Sequence, residues 1–431
     1  MNFKVALVTP YVFLKDDYVF SPHRGLDDLL RTNFKKHLLR RPNLSLLTLA
    51  SYLDDRYEIT YLDEQYADID FEKEYDIVAI SIMTPNAYRG YEIGDKFRKK
   101  GSHVIIGGIH ATLIPQEAKE HADTVIAGEG EEAWQKFLKD FHAGEAKPYY
   151  YGTGNMELDE SPLPRYDLLP REFYYSSLFK KEVYSYQFSR GCPHRCTFCS
   201  SSKAYGPRYR TKSVEHYLTE IDQARERTAG DFLLFFADDD VTIKKAVAKP
   251  LLERMAEDHP TPWIGCADIA ISNDNDLMEK ITKSGCKGLI MGFESLNEHS
   301  LMEVDPFKAR YFKSYDDAVK RMIDHGIPLF ASFIVGFDSD QKDCFEKIYN
   351  FITRHKIPMS SLSLLTPFPG TSIYEQYKRE GRLFYENFWD KCTGAYPLFK
   401  HPNLSSEDLM EGAYKVMMQL NRDQMQRNVR L

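Results

Sequence analysis

Residues 190–200 read RGCPHRCTFCS and follow directly on VYSYQFS, residues 183–189. The upstream stretch is an apolar and aromatic run of strand length. The downstream one is a loop carrying Cys192, Cys196 and Cys199, separated by three residues and then by two. Three thiolates on one short loop can bind three irons of a 4Fe–4S cube and leave the fourth iron open, whereas most electron-transfer clusters take four cysteines. No other cysteine lies close in sequence to supply a fourth ligand. Zinc is the rival reading. Structural zinc usually takes four Cys or His ligands in two pairs, and His194 within the loop would make a set of three cysteines and one histidine. The remaining cysteines, Cys266, Cys286, Cys344 and Cys392, are scattered and read as small buried hydrophobes.

Working outward from the loop, strand patterns recur downstream as FLLFFA (232–237), WIGCADI (263–269), GLIMGF (288–293), PLFASFIVGF (328–337) and SLSLLTPF (361–368). Helical patterns such as residues 213–227 and 314–326 lie between them. Six strand–helix units are too few for a closed eight-unit barrel but suit an open (β/α)6 barrel, in which the chemistry sits on loops after the strands. Upstream, FKVALVT (3–9), YEITYL (57–62), DIVAISI (76–82), VIIGG (104–108) and DTVIAG (123–128) alternate with helical patterns. Continuous apolar strands of this kind imply a doubly wound, Rossmann-type parallel sheet covered on both faces. Ligands then bind at the carboxyl ends of the strands. The boundaries are expected at 1–146 for the first domain, 147–181 for an extended Pro- and Tyr-rich connector, 182–373 for the partial barrel and 374–431 for a helical, aromatic C-terminal region.

Composition narrows the function classes. At 431 residues the chain is long enough for two or three domains. A net charge of -8 with no basic block argues against DNA, whose non-specific binding needs clustered Lys and Arg. The longest apolar run, Leu329 to Phe337, falls far short of the roughly 20 residues of a membrane span. The N-terminus reads as a first strand and not a signal peptide, so a cytoplasmic location is expected. Seven cysteines with three inside one short loop suggest metal binding in a reducing compartment more than disulfides.

The cysteine spacing, with Phe198 before the third cysteine, resembles the signature of the radical S-adenosylmethionine (SAM) superfamily, which implies that Phe198 borders the SAM site, and the resemblance spans nearly the whole second domain. It implies that the open iron chelates the amino and carboxylate groups of SAM. Electron transfer then splits the sulfonium, and the resulting 5′-deoxyadenosyl radical abstracts hydrogen from substrate. FFADDDVTI (235–243) resembles the acidic second-strand end of the cobalamin-linked branch, which implies a contact from Asp238, Asp239 or Asp240 to the SAM ammonium. A divalent-metal site and a solvated acidic turn are the other readings of those three. MGFES (291–295) implies SAM contacts from Glu294 and Ser295, and Arg210 matches a basic position before the first barrel helix. VGFDSD (335–340) and TPFPGTSIY (366–374) resemble the ends of strands five and six.

The first domain resembles the cobalamin-binding domain of the same branch through PNLSLLTLASYL (42–53), SIMTP (81–85), GGIHATLIP (107–115) and AGEGEEA (127–133). That implies a cobalamin site bordered by Ser81, Thr84, Gly107, Gly108, His110, Gly128 and Glu129. The Asp-x-His-x-x-Gly motif that supplies a lower cobalt ligand in many cobalamin proteins is absent. His23 and His110 are the histidines that could reach cobalt. The resemblance implies a cobalamin-dependent methyltransferase acting on an unactivated carbon of a small-molecule or lipid precursor, reduced by a flavodoxin or ferredoxin. A non-methylating radical enzyme (cyclase, rearrangement or oxidation) and a non-catalytic iron–sulfur electron carrier or redox sensor are the alternatives.

Overall fold

The computed structural model describes residues 2–11, 41–176 and 179–426; His23 lies outside them. Two sheets organise these residues. In the first, β1 (Phe3–Thr9), β2 (Tyr57–Asp63), β3 (Ile77–Ser81), β4 (His103–Gly107), β5 (Thr124–Ala127) and β6 (Tyr149–Tyr151) all run parallel, in the order β2-β1-β3-β4-β5-β6. The connection reverses direction between β1 and β3, which places a topological switch point at their carboxyl ends.

Side-chain alternation explains the unbroken apolar runs. Val8, Val78, Ile80 and Ile106 pack on one face against Tyr91 and Phe97 of the helix Ala87–Lys99. Leu7, Ile77, Ala79 and Ile105 pack on the other against Leu46 and Trp134. Both faces of the inner strands β3, β4 and β5 are therefore buried and carry no polar alternation, while the edge strand β2 keeps Glu58 exposed. The helix Leu44–Ala50 is tied to the sheet at its start. Asn43 Oδ1 accepts from the Leu46 N–H, while Asn43 Nδ2 donates to Ser81 Oγ at 3.0 Å.

In the second sheet, β8 (Lys181–Tyr186), β11 (Phe232–Phe236), β12 (Trp263–Cys266), β13 (Cys286–Glu294), β14 (Leu329–Val335) and β15 (Met359–Leu364) are parallel neighbours in sequence order, the arrangement of an open barrel. The short β7 (Tyr175–Ser176) adds antiparallel to the β8 edge. Between β8 and β11, β9 (Ser189–Arg190) and β10 (Arg210–Thr211) form a separate two-stranded ladder. A small inner core of Val183, Leu233, Phe235 and Ile264 lines the strands on one face. A much larger core, including Leu234, Phe236, Met291 and Phe333, packs on the other.

Two expectations change. The stretch expected to be an extended connector contributes β6 to the first sheet and then folds into three short 3₁₀ turns, 158–160, 166–168 and 171–174. Tyr166 explains that compaction. Its buried hydroxyl donates to the Ser185 carbonyl and accepts from the Ser185 N–H, both at 2.8 Å, which satisfies backbone groups of β8. The C-terminal region is also only partly helical. Helices Ser372–Arg379 and Ser406–Gln426 flank an irregular strap closed by a bridge between Leu383 and Phe399. That strap crosses to the first domain, where Trp389 Nε1 donates to Glu117 at 2.8 Å.

Candidate active site at the meeting of the two sheets

The cysteine loop begins where β8 ends. The β9–β10 ladder pairs Arg190 with Arg210 and closes the neck of the loop. Gly191 makes that neck possible: its φ is +90°, and a Cβ there would lie 2.3 Å from the Arg208 carbonyl oxygen. The loop is then pinned to the barrel. The Thr197 N–H donates to the Val304 carbonyl at 3.0 Å, and the Ile373 N–H donates to the Thr197 carbonyl at 3.1 Å. Phe198 packs against Phe337, ring centroids 5.9 Å apart, in a small apolar cluster.

Cys192, Cys196 and Cys199 are all free thiols of intermediate exposure. Burial pushes the Cys192 thiol up to about 12 and lifts Cys196 further above the ordinary thiol range. Cys196 Sγ donates to Asp305 Oδ2 at 2.9 Å. Among the described residues no three Cys, His, Asp or Glu side chains converge on a point that could hold a metal ion. The thiols share a loop without sharing a point. Their chemistry nevertheless fits a cluster with one open iron. Cys266 ends β12, Cys286 begins β13, Cys344 begins the helix Cys344–Arg354 and Cys392 sits in the strap, so no fourth cysteine belongs to this loop.

The three aspartates after β11 separate into different environments. Asp238 is buried and accepts from the Phe188 N–H at 3.1 Å and from both the N–H and the hydroxyl of Ser189, which staples β11 to the end of β8. Asp240 is buried and accepts from the Thr242 N–H and hydroxyl, both at 2.7 Å. Burial raises each of these two carboxyls to about 7. Asp239 alone is exposed, and it lines the cavity described below.

Glu294, at the end of β13, has a left-handed backbone, φ +58°, next to a register shift between Gly292 and Glu294. A non-glycine residue held there marks local strain of the sort found at functional sites. Its carboxylate pairs with Lys308 Nζ at 2.5 Å, Glu294 being buried and Lys308 largely so. Lys308 and Asp305, which sequence reasoning missed, connect this pair to Cys196. Ser295 is buried and its hydroxyl accepts from the Asn297 N–H at 3.1 Å, a local turn contact. Arg210 does not face the cysteine loop. Its guanidinium pairs with Glu129 and donates to the Met156 carbonyl at 2.8 Å.

A cavity of about 250 Å³ lies where the carboxyl ends of the two sheets meet. Ser81, Gly107, Gly108, Gly128 and Glu129 line it from the first domain; Gln187, Arg190, Lys212, Glu220 and Asp239 line it from the barrel side. Gly108 is needed there by backbone conformation, since its φ is +96° and a Cβ would meet the Ile82 carbonyl oxygen at 2.5 Å. Gly107 has no such constraint: a Cβ would stand 3.4 Å from the Ile126 carbonyl oxygen, in ordinary contact. Thr84 and His110 do not line the cavity. Their side chains bond to each other at 3.2 Å, and His110 packs edge-on against Trp389 of the strap, with Glu117 3.6 Å away.

A buried ion cluster joins the two halves of the cavity wall. Arg190 pairs with Glu129 at 2.8 Å and with Glu131 at 2.7 Å, and Glu129 also holds Arg210. Burial alone would raise the Glu131 carboxyl; Arg190 holds it below the usual carboxylate range. Glu129→Ala would leave two buried guanidinium groups short of a partner. Breaking a buried ion pair costs about 3–5 kcal/mol, so a drop in thermal stability is expected, and an unchanged melting temperature would exclude this clamp.

Comparison with known proteins agrees with the layout. Residues 186–352 match the family model of the radical SAM superfamily, and residues 38–138 match that of the B12 binding domain. The chain is 31% identical over 384 residues to the bacteriochlorophyllide d C-12(1)-methyltransferase of Chlorobaculum tepidum, covering 88% of this chain and 82% of that one. It is 24% identical to the bacteriochlorophyllide d C-8(2)-methyltransferase of the same organism, over 83% of this chain and 80% of that one. The solved structure of TsrM from Kitasatospora setae, a radical SAM methyltransferase with cobalamin and a [4Fe-4S] cluster bound, superposes with a TM-score of 0.65 at 17% identity, covering 88% of this chain and 78% of that one. The fold is therefore shared across nearly the whole chain, and the chain belongs to the radical SAM superfamily, in the branch that carries a B12-binding domain.

Proposed function

We propose that the protein is a cobalamin-dependent radical SAM methyltransferase. The observation that carries the reading is the cavity into which the strand ends of both sheets open. When bound, the cluster supplies the electron that splits SAM, and the cobalamin carries the methyl group. The chain's own part is to hold the reactants in line and exclude water. Cys192, Cys196 and Cys199 would ligate the cluster. Asp239, exposed at the cavity wall, faces the SAM ammonium, and Glu294, paired with Lys308, fixes the rest of the nucleoside or methionine moiety. The small residues Ser81, Gly107 and Gly108 leave room for the nucleotide tail of cobalamin. The clamp of Arg190, Arg210, Glu129 and Glu131 keeps the two strand ends opposed.

The acceptor is an unactivated carbon of a small-molecule or lipid precursor. A tetrapyrrole is the first class to test, because the two bacteriochlorophyllide relatives act on one. Reduced flavodoxin or ferredoxin would deliver the electron in a reducing cytoplasm. Among the described residues no helix is long and apolar enough to cross a membrane.

The deciding experiment is anaerobic reconstitution with iron, sulfide and cobalamin, followed by mass spectrometry. The methyltransferase yields S-adenosylhomocysteine, 5′-deoxyadenosine and a product heavier by one methylene. Deoxyadenosine without S-adenosylhomocysteine, from protein that takes up no cobalamin, would favour a cyclase or oxidase instead.

The SAM contacts have their own test. Asp239→Ala and Glu294→Ala should retain iron yet bind SAM about ten- to a hundredfold more weakly, the usual loss for a charge-assisted hydrogen bond. Glu294→Gln is the cleaner second variant, because it does not strand the Lys308 ammonium. Calorimetry on reconstituted protein reads the effect, and unchanged affinity in all three removes these carboxylates from the site.

A further inference from the structure

The inner face of the barrel is not filled. Along β14, Ala331, Phe333 and Val335 are buried in the large outer core, while Phe330, Ser332 and Ile334 between them are only half-buried. The Ser332 hydroxyl bonds to that of the half-buried Ser361 on β15 at 3.1 Å. Ile290 of β13 is also half-buried and packs on the inner core with Phe235 and Ile264. The strands thus present an accessible wall that is largely apolar, with hydroxyls at one side.

A cation from the first domain reaches this wall. Arg41 stands two residues before Asn43, the cap of the helix Leu44–Ala50, and its guanidinium lies over the Phe235 ring, 3.7 Å from the centroid. Stacking uses the flat face of the guanidinium and leaves its in-plane N–H donors unspent. Among the described residues no carboxylate pairs with it; the groups that act on its charge are the Cys266 thiol and the Tyr166 phenol. Burial pushes that thiol up to about 12 and raises the phenol as well, so neither is a counter-ion near neutral pH. Arg41 is exposed, yet the surrounding protein desolvates it and lowers its pKa. That combination belongs to a group lining a concavity, which water enters but where a charge is poorly solvated.

We infer that Arg41 anchors a carboxylate on the acceptor substrate, an apolar acid whose body lies along the inner wall of the barrel. The inference rests on the methyltransferase reading above and adds the acceptor's charge to it. A guanidinium fork matches a carboxylate through two parallel hydrogen bonds. Holding the acid end fixes which carbon of the acceptor is presented for reaction. Two other anions would be present, and each has its own place. The SAM carboxylate would go to the open iron at the cysteine loop, and the cobalamin phosphate would follow the nucleotide tail toward Gly107 and Gly108. Arg41, Phe235 and Cys266 are not part of the lining of the cavity that those glycines border.

Equilibrium dialysis of the reconstituted full chain against acid–ester pairs tests this without turnover. Pheophorbide a and the methyl ester of its propionic acid stand for a tetrapyrrole acceptor, oleate and methyl oleate for a lipid one, and mass spectrometry quantifies the bound probe. Wild type should bind the acid roughly tenfold or more tighter than its ester in at least one pair, and that pair assigns the acceptor class. Arg41→Gln should erase the preference. Arg41→Lys keeps the charge without the fork and should retain part of it. Cobalamin and SAM should bind Arg41→Gln as they bind wild type.

A wild type that takes up cobalamin and cleaves SAM, yet binds neither acid better than its ester, overturns the inference alone and needs no variant to do so. An Arg41→Gln protein that keeps the preference does the same. So does a loss that falls on cobalamin or SAM affinity instead, which would put the guanidinium on the cobalamin phosphate or the SAM carboxylate. A wild type that takes up no cobalamin overturns the methyltransferase reading, and the acid–ester comparison then still decides the role of Arg41.

Discussion

Replacing Cys192, Cys196 or Cys199 with Ala, one at a time, is expected to abolish the iron–sulfur cluster and all reductive cleavage of SAM. The three thiols are the only cysteines on the loop after β8, so a cube already short of one protein ligand has none to spare. Thiolate ligation requires that cluster assembly displace the thiol protons, including the one that Cys196 donates to Asp305. Iron and sulfide content, the absorbance of the reconstituted protein and deoxyadenosine release are the readouts. Cys266, Cys286, Cys344 and Cys392 stand on other elements, and their Ala variants are expected to keep full iron. A cluster that survives in any one of the three loop mutants, or is lost when a remote cysteine is changed, would contradict the assignment.

Much of this architecture is legible in the residues, and the reasons differ from place to place. The barrel strands announce themselves unequally: β11 is FLLFF and buried throughout, β14 alternates buried and half-buried residues, and β15 is broken by Ser360, Ser361 and Ser363. β6 does not: it is three consecutive tyrosines, too short to show a period, inside a stretch whose prolines suggest an extended link. The cysteine loop is legible because its chemistry depends on local spacing. The acidic turn is legible as a motif but not in detail. Three adjacent carboxylates look alike in sequence, and only the fold separates Asp239, exposed at the cavity wall beside the Ser201 hydroxyl, from two buried neighbours held by backbone and hydroxyl donors.

Long-range partners are the least visible. Arg210 and Glu129 stand 81 positions apart, and each reads as a separate ligand contact until the fold pairs them. His110 was a plausible reach toward cobalt on sequence alone; its partners Thr84, Glu117 and Trp389 come from three different segments and leave it packed away from the cavity. Lys308 carried no motif at all.

Gly107→Leu is expected to eliminate cobalamin binding while leaving cluster content and SAM cleavage in place. Of the two adjacent glycines at the end of β4, only Gly107 permits a clean experiment. Gly108 has a backbone conformation that L side chains rarely adopt, and a Cβ there would strike the backbone of Ile82, so its substitution would damage the fold and the site together. At Gly107 the backbone is unconstrained, and a side chain would grow from ordinary contact with Ile126 into the cavity. If the nucleotide tail of cobalamin enters there, a leucine side chain occupies its path. The cysteine loop, Asp239 and the Glu294–Lys308 pair all belong to the barrel, so they stay as they are.

The variant should then release deoxyadenosine, form no S-adenosylhomocysteine and give no methylated product. Mass spectrometry of the SAM products and of the acceptor reads these consequences, while cobalamin stoichiometry after reconstitution and a melting curve report binding and folding. A Gly107→Leu protein that still binds one cobalamin with wild-type affinity would move the tail elsewhere. One that folds normally and loses SAM cleavage along with cobalamin would mean that the two sites act as a single unit, with the clamp of Arg190 and Glu129 transmitting the loss across the cavity.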